Sequence, residues 1–571
     1  MPYIDWMGKE DVVNHHKNIP YKTIECKEEI GELDTENLII KGDNLLALKS
    51  LLPYYASSIK MIYIDPPYNT GNTSWVYNDN MDSPLIKKWL NDTVNAEDLS
   101  RSDKWLCMMY PRLKLLRELL KDDGVIFISI DDAEVAHLKM ICTEIFGKEN
   151  FVGEFIKQSK VGGGNDTKYI VKEHEYLLVY SKNLNKVPEI FVEFDNSYLK
   201  RYKEKDEKGL YFWDTFARPG LKNPIKYDIP TPDGNFISGE WIRSKKRFEE
   251  DYKNGIIKVF SKSDGSWSVQ FKQYLNLNGK KPRSLNTDFG GTIEGKTELT
   301  NIFNDGKLFP YPKASTFIKQ LISIFSTAED DIILDSFAGS GTTAHAVLEQ
   351  NKQDGGNRKF ILIETMDYAK DITAERVKRV VEGYSFTGKD KTTLFEKKLT
   401  TTDILNPEKM QKLSLEALEI IEEKKDTFDK IEKTFNENTL KIEGVKDIKS
   451  FKDGIGGGFK YCELSENIFD EYGELNPKLE FHQIAKHIFF VEFKKPITKK
   501  EIKAPFVGSY KHKYLYFYEN KFLKRDMQEL IQSHNEYKQI IVYTRKTTIS
   551  NDELKDNNIV IRYIPYDIKD N

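Results

Sequence analysis

An α/β fold built on an open, mostly parallel sheet is what this sequence predicts, on three observations. Short runs of β-branched and aromatic residues alternate with stretches whose apolar residues recur at helical spacing; the runs include Leu38-Ile39-Ile40, Met61-Ile62-Tyr63-Ile64, Val125–Ile130, Ile332-Ile333-Leu334 and Phe360–Ile363. Two of these strands run straight into loops rich in chemistry, Asp65-Pro66-Pro67-Tyr68 and Asp335–Thr343. In open α/β sheets ligands bind just past the carboxyl ends of the strands. At 571 residues the chain is also too long for one core, so about three domains are expected.

Residues 1–35 read as a polar lead-in. Leu38–Ile40 is a strand, and Asp43 after it suits either a contact to a cofactor adenine or an N-cap for a helix from Asn44 to Leu52. After the strand Met61–Ile64 comes Asp65-Pro66-Pro67-Tyr68, which suits methyl transfer to the exocyclic amine of a base. Such an amine is a poor nucleophile because its lone pair is delocalised into the ring. A carboxylate and a carbonyl accepting its two N–H groups favour the pyramidal nitrogen, with the lone pair aimed at the methyl group. Pro66 fixes φ and has no N–H, so the loop is rigid and offers carbonyls. Tyr68 offers a face for stacking a base that has left the duplex. A strand ending in a Pro-Pro turn with a half-buried Tyr is the bland alternative. Pro111 is well placed to start a helix near Arg112–Lys121. The strand Val125–Ile130 ends at Asp131 and Asp132, which either lie near the site or cap the next helix. Gly162–Asp166 reads as a mobile loop, and Tyr176–Tyr180 as a closing strand.

Far along the chain, Asp335-Ser336-Phe337-Ala338-Gly339-Ser340-Gly341-Thr342-Thr343 joins a strand to the helical stretch Ala344–Leu348, which is nucleotide-cofactor geometry. Gly339 and Gly341 let backbone approach a ligand closely. The next strand ends in Glu364, where an acid holds ribose hydroxyls in dinucleotide folds. Together with the Asp-Pro-Pro-Tyr loop, this implies S-adenosylmethionine (S-adenosyl-L-methionine) as cofactor rather than a nicotinamide. No metal is expected. Gly290–Thr297 matches the Walker A pattern but follows a polar, turn-like stretch rather than a buried strand. It is expected to be a loop without nucleotide hydrolysis.

Between the two motifs lies an uneven charge distribution. The whole chain carries a net charge of −4, yet residues 195–290 hold 19 Lys and Arg against 13 Asp and Glu. Tyr202, Tyr211, Trp213, Phe216, Trp241, Trp267 and Tyr274 interleave with them, and Arg243-Ser244-Lys245-Lys246-Arg247 is the densest cluster. Basic residues with aromatics suit phosphate contacts and base stacking. Arg243, Lys245, Lys246 and Arg247 are therefore candidate DNA contacts, a solvated charged face being the alternative.

These pieces carry a resemblance. Lys41-Gly42-Asp43-Asn44, Asp65 through Asn72, Asp123–Asp131, His174-Glu175-Tyr176-Leu177-Leu178-Val179-Tyr180, Phe309-Pro310-Tyr311-Pro312-Lys313 and the cofactor loop together resemble DNA amino-methyltransferases of permuted (β) motif order. More narrowly, with Gly456–Tyr461 and Tyr563–Tyr566, the chain is similar to the Mod subunits of type III restriction–modification systems. The resemblance implies a Rossmann-like S-adenosylmethionine-dependent methyltransferase sheet that flips an adenine and methylates its N6, since Asp-Pro-Pro-Tyr goes with adenine N6 and Ser-Pro-Pro-Tyr with cytosine N4. It also implies that Lys313 reaches the cofactor carboxylate, that Gly290–Thr297 has no ATPase role, that the basic insert recognises double-stranded DNA, and that the chain works as a homodimer with a Res (helicase/nuclease) subunit. A solitary adenine methyltransferase, a specificity subunit with an inactive site, and an enzyme acting on RNA or cytosine N4 are the alternatives.

The expected domains are 1–190 and 306–385 for the two halves of the methyltransferase, and 191–305 for the target-recognition insert. A helical connector (386–445) and a C-terminal α/β interaction domain (446–571) follow. Pro407–Leu440 reads as a long amphipathic helix or helix pair, a connector or a dimerisation arm, with Leu413, Leu415, Leu418, Ile421, Phe428, Ile431 and Phe435 along one side. Ile488–Val491, Tyr514–Tyr518 and Ile540–Tyr543 read as strands. Cys26, Cys107, Cys142 and Cys462 lack paired spacing, which argues against zinc and disulfides. No apolar stretch nears the ~18–20 residues of a membrane span, and Met1–Trp6 has no secretion signal, so a cytoplasmic protein is expected.

Overall fold

The computed structural model describes residues 4–33, 35–70, 100–159, 168–194, 196–217, 220, 225–286, 290–326, 328–436, 438–534 and 537–568. Gly71 and Asn72 of the Asp65 motif, and Gly162–Asp166, lie outside the described residues.

Ten strands make the central sheet: β1 (Lys22–Gly31), β2 (Leu38–Lys41), β3 (Ile59–Ile64), β4 (Leu120–Ile130), β5 (Phe151–Gln158), β6 (His174–Ser181), β7 (Leu285–Asn286), β8 (Ile332–Asp335), β9 (Lys359–Glu364) and β10 (Gly458–Asn467). Their order is β1-β10-β2-β9-β8-β3-β4-β6-β5-β7. Neighbours from β10 through β4 are parallel. β1 and β6 flank that block antiparallel. Every residue of β3 is buried, as expected of a parallel strand covered on both faces. On one face Ile62, Ile64, Ile126 and Ile128 share a core with α1 (Asn44–Tyr55), α2 (Arg101–Leu119) and α3 (Val135–Phe146). α4 (Thr292–Phe303), α5 (Ser315–Phe325), α6 (Thr342–Asp354) and α7 (Glu375–Glu382) follow β7 in the chain, interleaved with β8 and β9. On the other face Tyr63 meets Phe317 of α5 edge-on at 5.8 Å, and Phe127 meets Phe325 at 4.8 Å.

The order has one reversal that matters. From β3 the chain moves through α2 to β4 on one side; from β8 it moves through α6 to β9 on the other. The crevice between β3 and β8 is therefore the topological switch point, the ligand site of open α/β sheets. The register pairs Met61 with Ile333 and Ile62 with Leu334, so Asp65 and the Asp335 loop emerge side by side.

Residues 189–282 form a separate compact unit. It holds an antiparallel sheet of Glu204–Asp206, Gly209–Thr215, Trp267–Tyr274 and Ile257–Ser261, a hairpin of Ile225–Pro230 with Phe236–Trp241, and the helix Lys245–Lys253. Its own core comprises Phe216, Ile229, Trp241, Phe248, Ile257, Val269 and Phe271.

Several expectations need correction. The insert ends at Pro282, short of residue 305, because β7 pairs with β5 and α4 follows it. The Walker-like stretch is accordingly the start of α4 rather than a returning loop; Gly295 and Lys296 sit inside the helix. The helix expected to begin after Pro111 begins at Arg101, with Pro111 inside it. Asp131 does not cap α3: its Oδ1 accepts from Ala133 N at 2.9 Å, and the N-cap position is Glu134. The helix expected over Pro407–Leu440 stops at Lys424; Ile431 and Phe435 lie on the strand Lys430–Asn436, which pairs with Thr439–Asp453, itself paired with Gly383–Lys398. Apolar residues in that stretch fit either period, and strand pairing decided it. Ile488–Val491 lies within the helix Phe481–Phe493, not a strand. The stretch expected to open a separate C-terminal domain supplies β10, inside the central sheet. That pairing brings Cys26 of β1 opposite Cys462 of β10, and the two sulfurs are joined as a disulfide. A separation of 436 residues left no spacing signal in the sequence. Cys107 and Cys142 are buried and lie outside that disulfide. Among the described residues no helix is long and apolar enough to cross a membrane.

Candidate active site

At the mouth of the β3/β8 crevice the side chain of Tyr68 folds back so that its hydroxyl donates to Asp65 Oδ1 at 2.7 Å, with Glu175 Oε2 as the alternative acceptor at 2.9 Å. Lys313, just before α5, donates to the same hydroxyl at 2.7 Å and to Glu175 Oε2 at 2.8 Å, and lies 3.2 Å from Asp65 Oδ1. Glu175 of β6 faces Lys157 of β5 across the antiparallel pair, where Lys157 Nζ donates to Oε1 at 2.7 Å. Two carboxylates and two ammoniums thus make a neutral cluster. Burial drives a lone charge here towards neutrality, and the opposite charges work against it. Burial raises the Asp65 carboxyl, with the Lys313 cation opposing it and Glu175 adding to it. Burial also acts against charge on Glu175, but Lys313 and Lys157 outweigh it and hold that carboxyl well below the usual range. Lys313 moves up, because Asp65 and Glu175 overcome burial.

The loop is braced from outside. Trp105 Nε1 of α2 donates to the Pro67 carbonyl at 2.6 Å. Asn69, in a left-handed conformation at φ +60°, donates through Nδ2 to the buried Glu134 at 2.5 Å, and Ser102 and His137 hold the same carboxylate.

The glycine turn lies next to this cluster. Asp335 accepts from the Phe337 N–H at 3.0 Å and from the Thr343 hydroxyl at 2.6 Å, tying the two ends of the turn together. Burial pushes the Asp335 carboxyl up to about 7. Gly339 and Gly341 have φ of +52° and +80°, and a Cβ on Gly341 would lie 2.9 Å from the Thr373 carbonyl oxygen. Glu364 at the end of β9 accepts from the N–H groups of Gly339 and Met366 at 2.8 and 2.9 Å. Burial raises its carboxyl while these N–H groups oppose the rise. Beneath the turn Arg376, fully buried, donates to Ser340 and Thr342 at 2.9 and 2.8 Å and to Glu298 at 3.0 Å. The guanidinium also lies 3.3 Å from His345 Nδ1, and His345 pairs with Glu298 and Glu349, a trio whose ligand atoms cluster as at a metal site. Replacing Arg376 with methionine leaves the Glu298 carboxylate largely uncompensated. The expected cost is about 3–5 kcal/mol, read as a fall in the thermal unfolding midpoint.

The structure therefore gathers Asp65, Pro66, Pro67, Tyr68, Asp335, Phe337, Ala338, Gly339, Ser340, Gly341, Thr342, Thr343 and Glu364 at one crevice. Lys313 also lies there, on Asp65 and Tyr68. Asp43 caps α1, accepting from Leu46 N at 2.9 Å. In the separate insert, Arg243 and Arg247 both bind the buried Asp251, and Arg243 also covers the Phe271 ring at 4.6 Å. Lys245 and Lys246 open the helix of that unit on its exposed side. Glu175, Lys157 and Arg376 were missed by sequence reasoning. The first two left a signal: each is a charged residue set among apolar ones in a strand, at a buried position.

The fit to an adenosyl cofactor rests on the turn itself. Two glycines stand where a side chain would be strained, the Glu364 carboxylate lies within hydrogen-bond reach of that backbone, and the buried Ser336 hydroxyl has no partner among the described residues.

Comparison with known proteins agrees. The "DNA methylase" family, of N6- and N4-methyltransferases, matches residues 59–375. The EcoPI Mod subunit of a type III restriction–modification enzyme from Escherichia phage P1 is 33% identical over 456 residues, covering 70% of this chain and 69% of that one. The chain belongs to the type III Mod family of DNA methylases. The StyLTI Mod subunit from Salmonella typhimurium is 36% identical over 59% of this chain and 53% of its own length. The type II methyltransferase M.KpnI from Klebsiella pneumoniae is 34% identical over 58% of this chain and 81% of its own. The family match begins with the first residue of β3 and ends at the first residue of α7. It therefore takes in both the Asp65–Tyr68 loop and the Asp335–Thr343 turn of this methylase.

Proposed function

We propose that this methylase transfers a methyl group from S-adenosylmethionine to N6 of an adenine flipped out of duplex DNA, as the modification subunit of a type III system. The observation that carries the reading is the switch-point crevice, where the Asp65 loop and the glycine turn emerge from adjacent parallel strands. The Asp-rather-than-Ser start of the loop favours adenine N6 over cytosine N4, as do the Mod relatives.

S-adenosylmethionine supplies a methyl group already activated on sulfonium, so the protein's contribution is positioning. The turn Asp335–Thr343 would hold the cofactor, with Glu364 at its ribose. Asp65 accepts one N6–H. The Pro67 carbonyl is used by Trp105, which leaves the Pro66 carbonyl for the second. The Tyr68 ring stacks the flipped base, while its hydroxyl aims the Asp65 carboxylate. A carboxyl raised by burial is a stronger acceptor for a weakly acidic amine, and it takes the proton that N6 loses once the methyl has arrived. The insert would contact DNA through Arg243, Lys245, Lys246 and Arg247, and the chain would act as a homodimer with a Res subunit.

Methylation-aware single-molecule sequencing of DNA from a methylation-free host tests this. N6-methyladenine on one strand of a short asymmetric site supports the whole reading. Marks on both strands of a palindrome keep the chemistry and remove the type III assignment. N4-methylcytosine overturns the base assignment. Gly341→Val is expected to weaken S-adenosylmethionine binding about tenfold or more by calorimetry, since a left-handed branched residue costs about 1–2 kcal/mol before any clash.

A further inference from the structure

A cavity of about 380 Å³ opens at the amino ends of β3 and β4, at the opposite end of the strands from Asp65. Six basic residues line it, His16, Lys17, Lys49, Arg117, Lys182 and Lys494, against the single acid Glu118. They come from distant parts of the chain: the turn His15–Asn18, α1, α2, the end of β6 and the helix Phe481–Phe493. We propose that this cavity binds a compact oligophosphate, either free or as the tail of a nucleotide.

Charge is the first argument. Like charges gathered in a concavity with apolar walls raise each other's potential, and a polyanion relieves it. His16 shows the strain: burial, then Lys114, Lys49, Lys17 and the neighbouring His15, push its imidazole down to about 4. Glu118, with a carboxylate oxygen 3.9 Å from His16 Nε2, does not offset them. Lys182 and Lys114 are lowered too, by burial first.

Unused donors are the second. His16 is only 7% exposed. Among the described residues its Nδ1 has no hydrogen-bond partner, and neither has the buried Nε of Arg117. A buried donor left without a partner is destabilising, and phosphate oxygens are the acceptors that fork-shaped and imidazolium donors fit. The frame around them is set: Lys49 is 3% exposed with its Nζ 4.6 Å from the Tyr21 ring centre, and Lys182 donates to Ser57 and the Leu120 carbonyl at 3.0 and 2.7 Å. Lys494 ends its helix in the left-handed region at φ +50°, a position where Gly or Asn is usual. A cavity with buried donors admits a small anion better than the convex backbone of a duplex.

Calorimetry of the full chain with tripolyphosphate, with ATP and with a DNA duplex tests the proposal. Both small anions are expected to bind, with proton uptake near pH 6 as His16 becomes charged. Comparable binding of both places the site on the phosphates; much tighter ATP binding assigns it to a nucleotide tail. Lys49→Met with Arg117→Met is expected to weaken binding at least tenfold, and His16→Gln to remove the proton uptake. Should the buried pair fail to fold, Lys17→Glu on the rim is expected to weaken binding several-fold with the thermal midpoint unchanged. No heat at millimolar anion, unchanged affinity in Lys17→Glu, or binding of the duplex alone would overturn it.

Discussion

Asp65→Ala is expected to lower methyl transfer by at least about 10²–10³-fold, the loss typical of removing one preorganised polar group from the reacting centre. Affinities for S-adenosylmethionine and for duplex DNA should stay within a few-fold of the parent, because the carboxylate engages Tyr68 and Lys313 rather than the glycine turn or the insert. The variant keeps its fold for a specific reason. Lys313 retains Glu175 at 2.8 Å as a counter-ion, shared with Lys157 at 2.7 Å, so neither buried cation loses its last partner. Asp65→Asn separates charge from shape: an amide can accept one N6–H but cannot take the proton, so binding is retained and turnover still falls. Single-turnover assays with an asymmetric duplex, beside filter binding of the same duplex, measure both quantities. An equal loss of DNA affinity and of rate would sink the role assigned to Asp65, since it would mean that the loop organises the protein surface rather than the reacting amine.

Why the site was legible from the chain, while parts of the fold were not, has a physical reason. Asp65–Tyr68 and Asp335–Thr343 are local signals: each sits directly after a short apolar run, and prolines and glycines mark conformations that few other residues allow. Their meeting was also inferable, because parallel strands with crossover helices place all such loops at one end of the sheet. β10 was not legible. It enters the sheet between β1 and β2 from more than 400 residues away in sequence, and no local pattern specifies that pairing, nor the Cys26–Cys462 bond it creates. The helix expected over Pro407–Leu440 failed for another reason. Its apolar residues keep helical spacing past Lys424, through Phe428, Ile431 and Phe435, yet those residues join a strand ladder with Thr439–Asp453, because such a stretch yields to whichever partner strand is available. Glu175 and Lys157 lie between these cases. A charge inside a buried strand requires a counter-charge, and the cross-strand register supplies it.

Lys313→Met separates two roles for this lysine and is expected to move the acid limb of the rate profile. Lys313, Lys157, Asp65 and Glu175 are neutral as a group; without Lys313 the buried cluster carries one excess negative charge. It relieves that by taking up a proton. Glu175 keeps Lys157 at 2.7 Å, so the proton goes to Asp65, whose carboxyl burial and the Glu175 charge already raise. Losing an opposite charge at this distance moves a carboxyl up by about 1–3 pH units. The form that accepts N6–H is the carboxylate, so activity that persists at mildly acidic pH in the parent should be lost there in the variant and return as pH rises. Lys313→Arg, which keeps the charge, should leave the limb near its original place. A lysine serving the cofactor carboxylate instead would give a different result: a raised KM for S-adenosylmethionine, with the acid limb of kcat unmoved. The same pH series, run at saturating and at limiting cofactor, distinguishes them. An unmoved limb with an unchanged KM would show that neither the ion pair with Asp65 nor the cofactor depends on Lys313.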